Sequence, residues 1–521
     1  VGKRSLDSAL ISAGDAWYWS EHSGIKLDGR TFSVKHHEYQ VGPLRERARE
    51  QCARKGAQIG WTSIKMLKSV HGLIYGRYPQ GVLYLFPTKG DVTDFSKGRF
   101  QPLIEDNPCI AQHVRNTDAA NIKRIGNSML YFRGAKSTRR LDGGKATASQ
   151  LKSVPVDRIV FDEIDEMEPA MVDLAMERVS HSEIKEVDYI GTPTIPDYGI
   201  DLRWQRSSQR HWEIKCHGCG EYTCLEREFE QNGWQGQRVL IDVGGEIIRA
   251  CRKCGREIYP RDGEWVAAYP KRDLVGWWVS QLNSVYVSPA SVLGAFMDSR
   301  RNLAETYNSK IGMPYIEAQN RLTIQQVLAC CGHHGIGEVD EGPCSMGVDQ
   351  GKDLHVVIGK REGGKDGVIV HLGVYKDWEE MDGLMERYNV FRCVVDALPE
   401  MRNSRAFAMR FPGRVYLNYY NHNQKGAAAW NDARYTVQVN RTESLDASHD
   451  ELYSGSVVLP RESDLVMLFA EQCHNVAKKL EEDDVTGSRH YVYVRLGADH
   501  FRHAFNYESM ARRTGVTSVF A

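Results

Sequence analysis

"RKGAQIGWTS", residues 54–63, decides how the first third of this chain is read. A phosphate-binding loop has the form G-x-x-x-x-G-K-[ST]: its backbone amides turn toward an anion, and its lysine reaches the outer phosphates of a nucleotide. Here glycines stand at 56 and 60 and a hydroxyl at Thr62, but Trp61 occupies the lysine position. Positive charge is found instead at the loop entrance, in Arg54 and Lys55. Aligning G-K-[ST] with Gly60-Trp61-Thr62 makes Lys55 the first residue of the loop, placed to supply the missing charge. A helix beginning near Thr62 would add its N-terminal dipole, and Thr62 would hold the magnesium ion that bridges the phosphates.

Outward from this loop, strands alternate with helical stretches over about residues 30–200, the pattern of an α/β domain with a mostly parallel sheet. "GVLYLFPT" (81–88), "RIVFDEID" (158–165) and "VDYIGTPT" (187–194) each run from apolar residues into a polar or turn-forming end. Open α/β sheets bind ligands at that edge. Asp162 at the end of the second strand suits a hydrated magnesium ion, and Glu163 suits polarisation of an attacking water. Thr192, in the Gly-Thr-Pro turn, is placed to sense a γ-phosphate. Loop, acidic strand and turn follow one another in the order of an ATPase.

Two further constellations lie downstream. Cys216, Cys219, Cys251 and Cys254 form two C-x-x-C-G knuckles, which together make a closed tetrahedral zinc site with a structural role. His217 and Cys224 read as bystanders, and "CCGHH" (330–334) reads as linker rather than ligand. In the last third, "CSMGVDQGKD" puts Asp349 on a first strand and "FRCVVDALPE" ends a second in Asp396. "LGADHFRHAFNYESMA" (496–511) reads as a helix bearing Asp499, His500 and His503 in its first turns. Strand, turn, strand and a helix-borne acid are the sparse pattern of an RNase H-like nuclease, whose clustered carboxylates clamp two divalent ions. Asp349 and Asp396 are the leading Mg²⁺ or Mn²⁺ ligands and Asp499 the third. His503 is the alternative for the metal or a water, and Asp353, Asp446 and Glu443 are further candidates.

The 521 residues exceed what one core organises, so two or three domains are expected. A formal net charge of −1 leaves no global basic field, so nucleic acid would have to be gripped by local patches. Those patches are "RGAKSTRRLDGGK" (133–145), "RRNLAETYNSK", "RFPGR" and "HNQKG". No apolar run is long enough to span a bilayer and no signal-peptide pattern opens the chain. Twelve cysteines with two C-x-x-C pairs point to metal chemistry in a reducing compartment.

Loop, strand-DE and G-T-P in this order resemble the large terminase subunit of tailed bacteriophages. "YLFPTKGDVTDFSKGRFQPLIEDNP" (84–108), "GTPTIPDYGI" (191–200) and "YNSKIGMPY" (307–315) are similar to its lambda-type branch, and "VNRTESLDASHDEL" (439–452) to the family's nuclease domain. The resemblance runs from about residue 40 to 511. That branch often carries a deviant loop with a lysine at its start, as Lys55 stands here. It implies an ASCE-type P-loop ATPase core (1–204) with a zinc-binding insertion (205–265) and a remainder of the ATPase region (266–329). A linker (330–344) and an RNase H-like nuclease (345–521) follow. In this reading Lys55, Gly56, Gly60, Trp61, Thr62, Asp162 and Thr192 serve ATP, with Glu163, Asp349, Asp396, Asp499 and His503 catalytic. The implied partners are double-stranded DNA without base preference, a small terminase subunit, a portal on the prohead, and further copies of the chain in a ring. The implied place of action is the host cytoplasm. Two other classes remain open: a host-type helicase–nuclease, and a DNA-binding scaffold whose loop has lost its function.

Overall fold

The computed structural model describes residues 3–119, 121–135, 154–337, 342–362, 365–421, 423–482 and 488–514. The chain divides into two compact units, Val1–Tyr315 and Ile316–Ala521.

In the first unit the elements that position the candidate site are β1 (Glu50–Lys55), α1 (Trp61–Ile74), β2 (Val82–Phe86), β3 (Arg158–Asp162) and β4 (Glu186–Gly191). They are followed by α2 (Gly199–Arg206), β5 (Arg210–Lys215), α3 (Leu225–Gly236) and β6 (Val275–Val279). Every residue of β2, β3, β4 and β6 is buried, because helices and loops cover both faces of the sheet. Two acids inside β4, Glu186 and Asp188, are tolerated there because Arg158 lies against both and Lys65 against Asp188. The strands run in the order β5-β6-β1-β4-β3-β2, each parallel to its neighbour. Strand β4 thus lies between the loop-bearing β1 and the acid-bearing β3, and the C-terminal ends of all three open on one edge.

The excursion expected over 205–265 is narrower than that span. Strand β5 and Gly263–Ala267 pair with each other, and β5 also pairs with β6, so both belong to the main eleven-stranded sheet. The cysteine knuckles and the hairpin Leu240–Val243/Glu246–Arg249 fill the space between them.

In the second unit β7 (Cys344–Gln350), β8 (Leu354–Glu362) and β9 (Lys365–Tyr375) form an antiparallel meander. Strands β10 (Val390–Asp396), β11 (Val415–Tyr420) and β12 (Thr436–Val439) then add in parallel on the β7 side, giving the order β12-β11-β10-β7-β8-β9. Helix α4 (His500–Arg513) packs on β7, β8 and β10. It starts later than the expected 496–511, because Asp499 takes the N-cap position and the chain before it is still a turn.

The break between the units lies at Tyr315/Ile316, upstream of the segment read as a linker. Leu322, Val327 and Cys330 are buried in one apolar cluster with Leu452, Phe469 and Phe505. The Gly332 amide donates to the Leu459 carbonyl at 2.8 Å, and His334 bonds the Ile369 carbonyl at 2.8 Å. The described parts of 316–344 are therefore packed against the second unit's core rather than strung between units. Among the described residues no helix is long and apolar enough to cross a membrane.

Candidate functional site

Neighbouring residues on a strand point to opposite faces, and this separates the basic pair at the end of β1. Arg54 turns to α2 and α3, pairing with Asp201 at 2.7 Å and Glu230 at 3.3 Å while its guanidinium lies 3.7 Å from the centre of the Trp278 ring. Lys55 turns to the acidic strand. Its Nζ donates to Glu163 Oε1 at 2.6 Å and to Thr192 Oγ1 at 3.2 Å. The Thr192 amide donates to the other Glu163 oxygen at 2.9 Å, closing a ring across the ends of β1, β3 and β4. Beside it, Thr62 Oγ1 donates to Asp162 Oδ1 at 3.2 Å, and the Tyr84 hydroxyl donates to Oδ2 at 3.3 Å.

The electrostatics follow from the one cation. Burial and the adjacent Glu163 charge push the Asp162 carboxyl up to about 6, with Lys55 opposing. Burial acts upward on Glu163 as well, but the Lys55 charge and the hydrogen bonds from Lys55 and Thr192 outweigh it and hold Glu163 below its ordinary value. Glu163 sits at φ 59°, in the left-handed region that non-glycine residues seldom occupy. That backbone turn aims its side chain at Lys55 rather than along the strand. Asp165, two residues on, accepts from the Thr194 amide and hydroxyl and from the Ile200 amide at 2.7–2.9 Å, so the acidic turn also holds the Gly-Thr-Pro segment.

The loop itself leaves β1 through Gly56 and enters α1 after Gly60, which adopts φ +80° at the N-cap. The first-turn amides of a helix have no intrahelical acceptors, so those of α1 are presented to the loop's mouth. Trp61 is only 1% exposed and lies 6.4 Å from Trp277 in the apolar core. Its side chain is core packing, and only its backbone amide can face a ligand. Tyr39 and Gln40 were not legible as site residues, yet both bond the Ile59 carbonyl inside the loop, at 3.0 and 3.1 Å.

The four knuckle cysteines converge. Cys216 and Cys254 sulfurs lie 3.7 Å apart, as do those of Cys219 and Cys251, and all four lie within 4.8 Å of one another. A tetrahedral site with Zn–S bonds of about 2.3 Å has edges of about 3.8 Å, so the spacing fits the metal. The two knuckles repeat one turn: the amides of Gly220 and Gly255 bond back to the carbonyls of Cys216 and Cys251 at 2.8 and 2.9 Å. His217 pairs with Asp262 at 3.0 Å, and Cys224 is buried 3.7 Å from His211, both apart from the cluster.

In the second unit the parallel register pairs Val348 with Val395, which places Asp349 and Asp396 side by side at the ends of β7 and β10. Burial and the Asp349 charge push the Asp396 carboxyl up to about 6. Asp499 faces elsewhere: its carboxylate lies 3.3 Å from Arg495 and 3.4 Å from His503. Burial acts upward on Asp499, and these two partners, His503 foremost, more than offset it. The four cysteines are the one group of three or more His, Cys, Asp or Glu gathered within 4.8 Å among the described residues, so the three aspartates do not close on one another. Geometry explains this, since Asp499 is the N-cap of α4 and turns back along its own helix. His503 also bonds the Tyr420 hydroxyl at 3.2 Å. The lower-ranked acids are engaged structurally: Asp446 with Lys478 at 2.7 Å and the Tyr493 hydroxyl at 2.9 Å, Glu443 with the Gly426 amide at 2.8 Å. Asp353 contributes its carbonyl to the Gly351 amide at 3.1 Å.

Of the basic segments, residues 136–145 lie outside the described residues. Arg300 and Arg301 pair with Asp298, Lys310 with Gln281, and Arg410 with Asp382. Arg414 bonds the Val390 carbonyl.

Comparison with known proteins places these features in a class. Residues 35–271 match the family described as phage terminase large subunit gpA, ATPase domain. The fold is similar to that of the large terminase of bacteriophage HK97, with a TM-score of 0.55 at 10% identity, covering 96% of this chain and 99% of that one. The large terminase of a thermophilic bacteriophage superposes more loosely (TM-score 0.33, 10% identity, 93% and 99% covered). So does the ATPase domain of the Thermus phage P74-26 large terminase (0.33, 12%, 56% and 96%). Curated protein sequences return no match. Residues 35–271 thus match a phage terminase large subunit ATPase domain, and the chain as a whole has a fold similar to that of a large terminase.

Proposed function

We propose that the protein hydrolyses ATP in its first unit to drive double-stranded DNA into a prohead, and cuts concatemeric DNA in its second. One observation carries the reading: Lys55, Glu163 and Thr192 meet at the ends of three parallel strands, within the stretch that matches a terminase ATPase domain. The order β6-β1-β4-β3-β2, with one strand between loop and acid, supports an ASCE-type P-loop core. Gly56, Gly60 and the Trp61 amide would line the phosphates, and Lys55 would supply the charge. Thr62 and Asp162 would hold Mg²⁺, which when bound offsets phosphate charge. A γ-phosphate competes with Glu163 for Lys55, and the Glu163 released from that ion pair takes the proton of the attacking water. Thr192, bonded to both, registers the change.

The order β9-β8-β7-β10-β11, an antiparallel meander continued by parallel strands, supports the RNase H-like reading of the second unit. Asp349 and Asp396 offer the hard oxygen donors that Mg²⁺ or Mn²⁺ takes, and such ions activate water and stabilise the leaving oxygen. A zinc ion at the cysteine knuckles is structural, with no open position for chemistry. A small terminase subunit, a portal and further copies of the chain in a ring are the partners, and the host cytoplasm is the place.

DNA-stimulated ATP hydrolysis and Mn²⁺-dependent cleavage of supercoiled plasmid, measured on one preparation, test the reading. Both are expected, together with about one zinc per chain that a Cys251→Ser variant loses. A chain that binds no ATP at any concentration would be the scaffold instead.

A further inference from the structure

Helix α4 starts against the carboxylate pair, and its first residue rather than its N-cap makes the contact. His500 Nδ1 lies 2.8 Å from Asp349 Oδ2. The ring is fixed from two other sides. It stacks on His355, with centroids 4.7 Å apart and planes 20° from parallel, and His355 is the direct cross-strand partner of Asp349 on β8. The turn after β7 leaves room for it: a Cβ at Gly351 would stand 3.0 Å from His500 Cε1. His355 is itself 92% buried, which fixes the surface on which the His500 ring stacks. Asp499 meanwhile is spent on Arg495 and His503.

We infer that His500, not Asp499, is the residue through which α4 serves the carboxylate pair: a positioning residue that donates from Nδ1 to one Asp349 oxygen and leaves the other directed at a divalent cation shared with Asp396. The inference rests on the nuclease reading of that pair. A carboxylate with one oxygen tied down is held in a single orientation, and loss of such an outer partner typically weakens metal binding about 10–100-fold.

The test is Mn²⁺ binding to the zinc-replete full chain without nucleotide, followed by electron paramagnetic resonance and counted as the part that Asp349→Ala removes. His500→Ala should weaken that binding about tenfold or more. His500→Asn, whose amide N–H can stand near the Nδ1 position, should recover it to within about threefold. Unchanged affinity in His500→Ala overturns the proposal. Equal weakening in both variants overturns it too, because the ring would then act by packing and not by its hydrogen bond. A parent chain with no Asp349-dependent Mn²⁺ site sinks the nuclease reading itself, a distinct result.

Discussion

Asp162 and Glu163 in the first unit have a buried ammonium beside them: Lys55, 5% exposed, held 2.6 Å from Glu163. Asp349 and Asp396 in the second unit meet imidazoles, His500 on the one and His503 within electrostatic reach of the other. In each pair one aspartate is pushed up to about 6 by burial and a neighbouring carboxylate. The difference lies in what relieves the repulsion. A pair with a built-in cation is assembled before its ligand arrives, and the ligand must take that cation away. On the proposed reading the second pair would be completed by a cation from solution, and its activity would follow the metal supply.

The largest effect expected is at the second pair. Asp349→Ala should bring Mn²⁺-dependent plasmid cleavage below detection while ATP affinity stays within about twofold, since the two sites belong to different compact units. Cleavage at the parental rate would remove Asp349 from the metal site. Next, Glu163→Gln should slow ATP turnover by about 10²–10⁴-fold with binding retained, the range for loss of a general base. A variant that turns over normally would assign that role elsewhere. Third, Lys55→Ala should weaken ATP binding by roughly tenfold or more, the worth of a charge-assisted hydrogen bond. Trp61→Ala should instead lower unfolding stability by about 3–5 kcal/mol through the cavity it leaves, with a smaller change in affinity. The reverse order in a nucleotide titration would show that the positive charge has been misplaced.

The smallest effect is on pH. A metal takes the ionised carboxylate, so below the raised Asp396 value of about 6 it must displace a proton. Mn²⁺ affinity should be flat above that point and fall by up to about tenfold per pH unit below it. Isothermal titration between pH 5 and about 8 checks the break, and an affinity flat over that whole range, as an ordinary carboxylate of about 4 would give, would deny the crowding of the two acids.

What was legible in the sequence was local chemistry at strand ends and turns. Buried parallel strands read as apolar runs, so "RIVFD" and "FRCVVD" announced both their elements and the acids that end them. The knuckles were legible because each is a short turn whose residues contact one another, and the metal fixes the spacing. The basic pair gave less: which of Arg54 and Lys55 faces the acids depends on the face β1 turns to β4. Trp61 read as a loop residue because its burial against Trp277 joins positions far apart in the chain. Asp499 and His503 read as candidates and His500 did not, for a similar reason. All three open the same helix, and only the packing of α4 on β7 decides which one meets Asp349. The unit boundary was misplaced because 330–344 has a linker's composition while Cys330 belongs to a core.

The nuclease reading requires that the adjacent carboxylates at the ends of β7 and β10 form a cation site. Anomalous diffraction from crystals of the full chain soaked in Mn²⁺ tests this most directly. Manganese bound between Asp349 and Asp396, with His500 still on the far Asp349 oxygen, is the result the account predicts. Saturating Mn²⁺ with no peak at the pair, or a peak held by Asp499 instead, would contradict it.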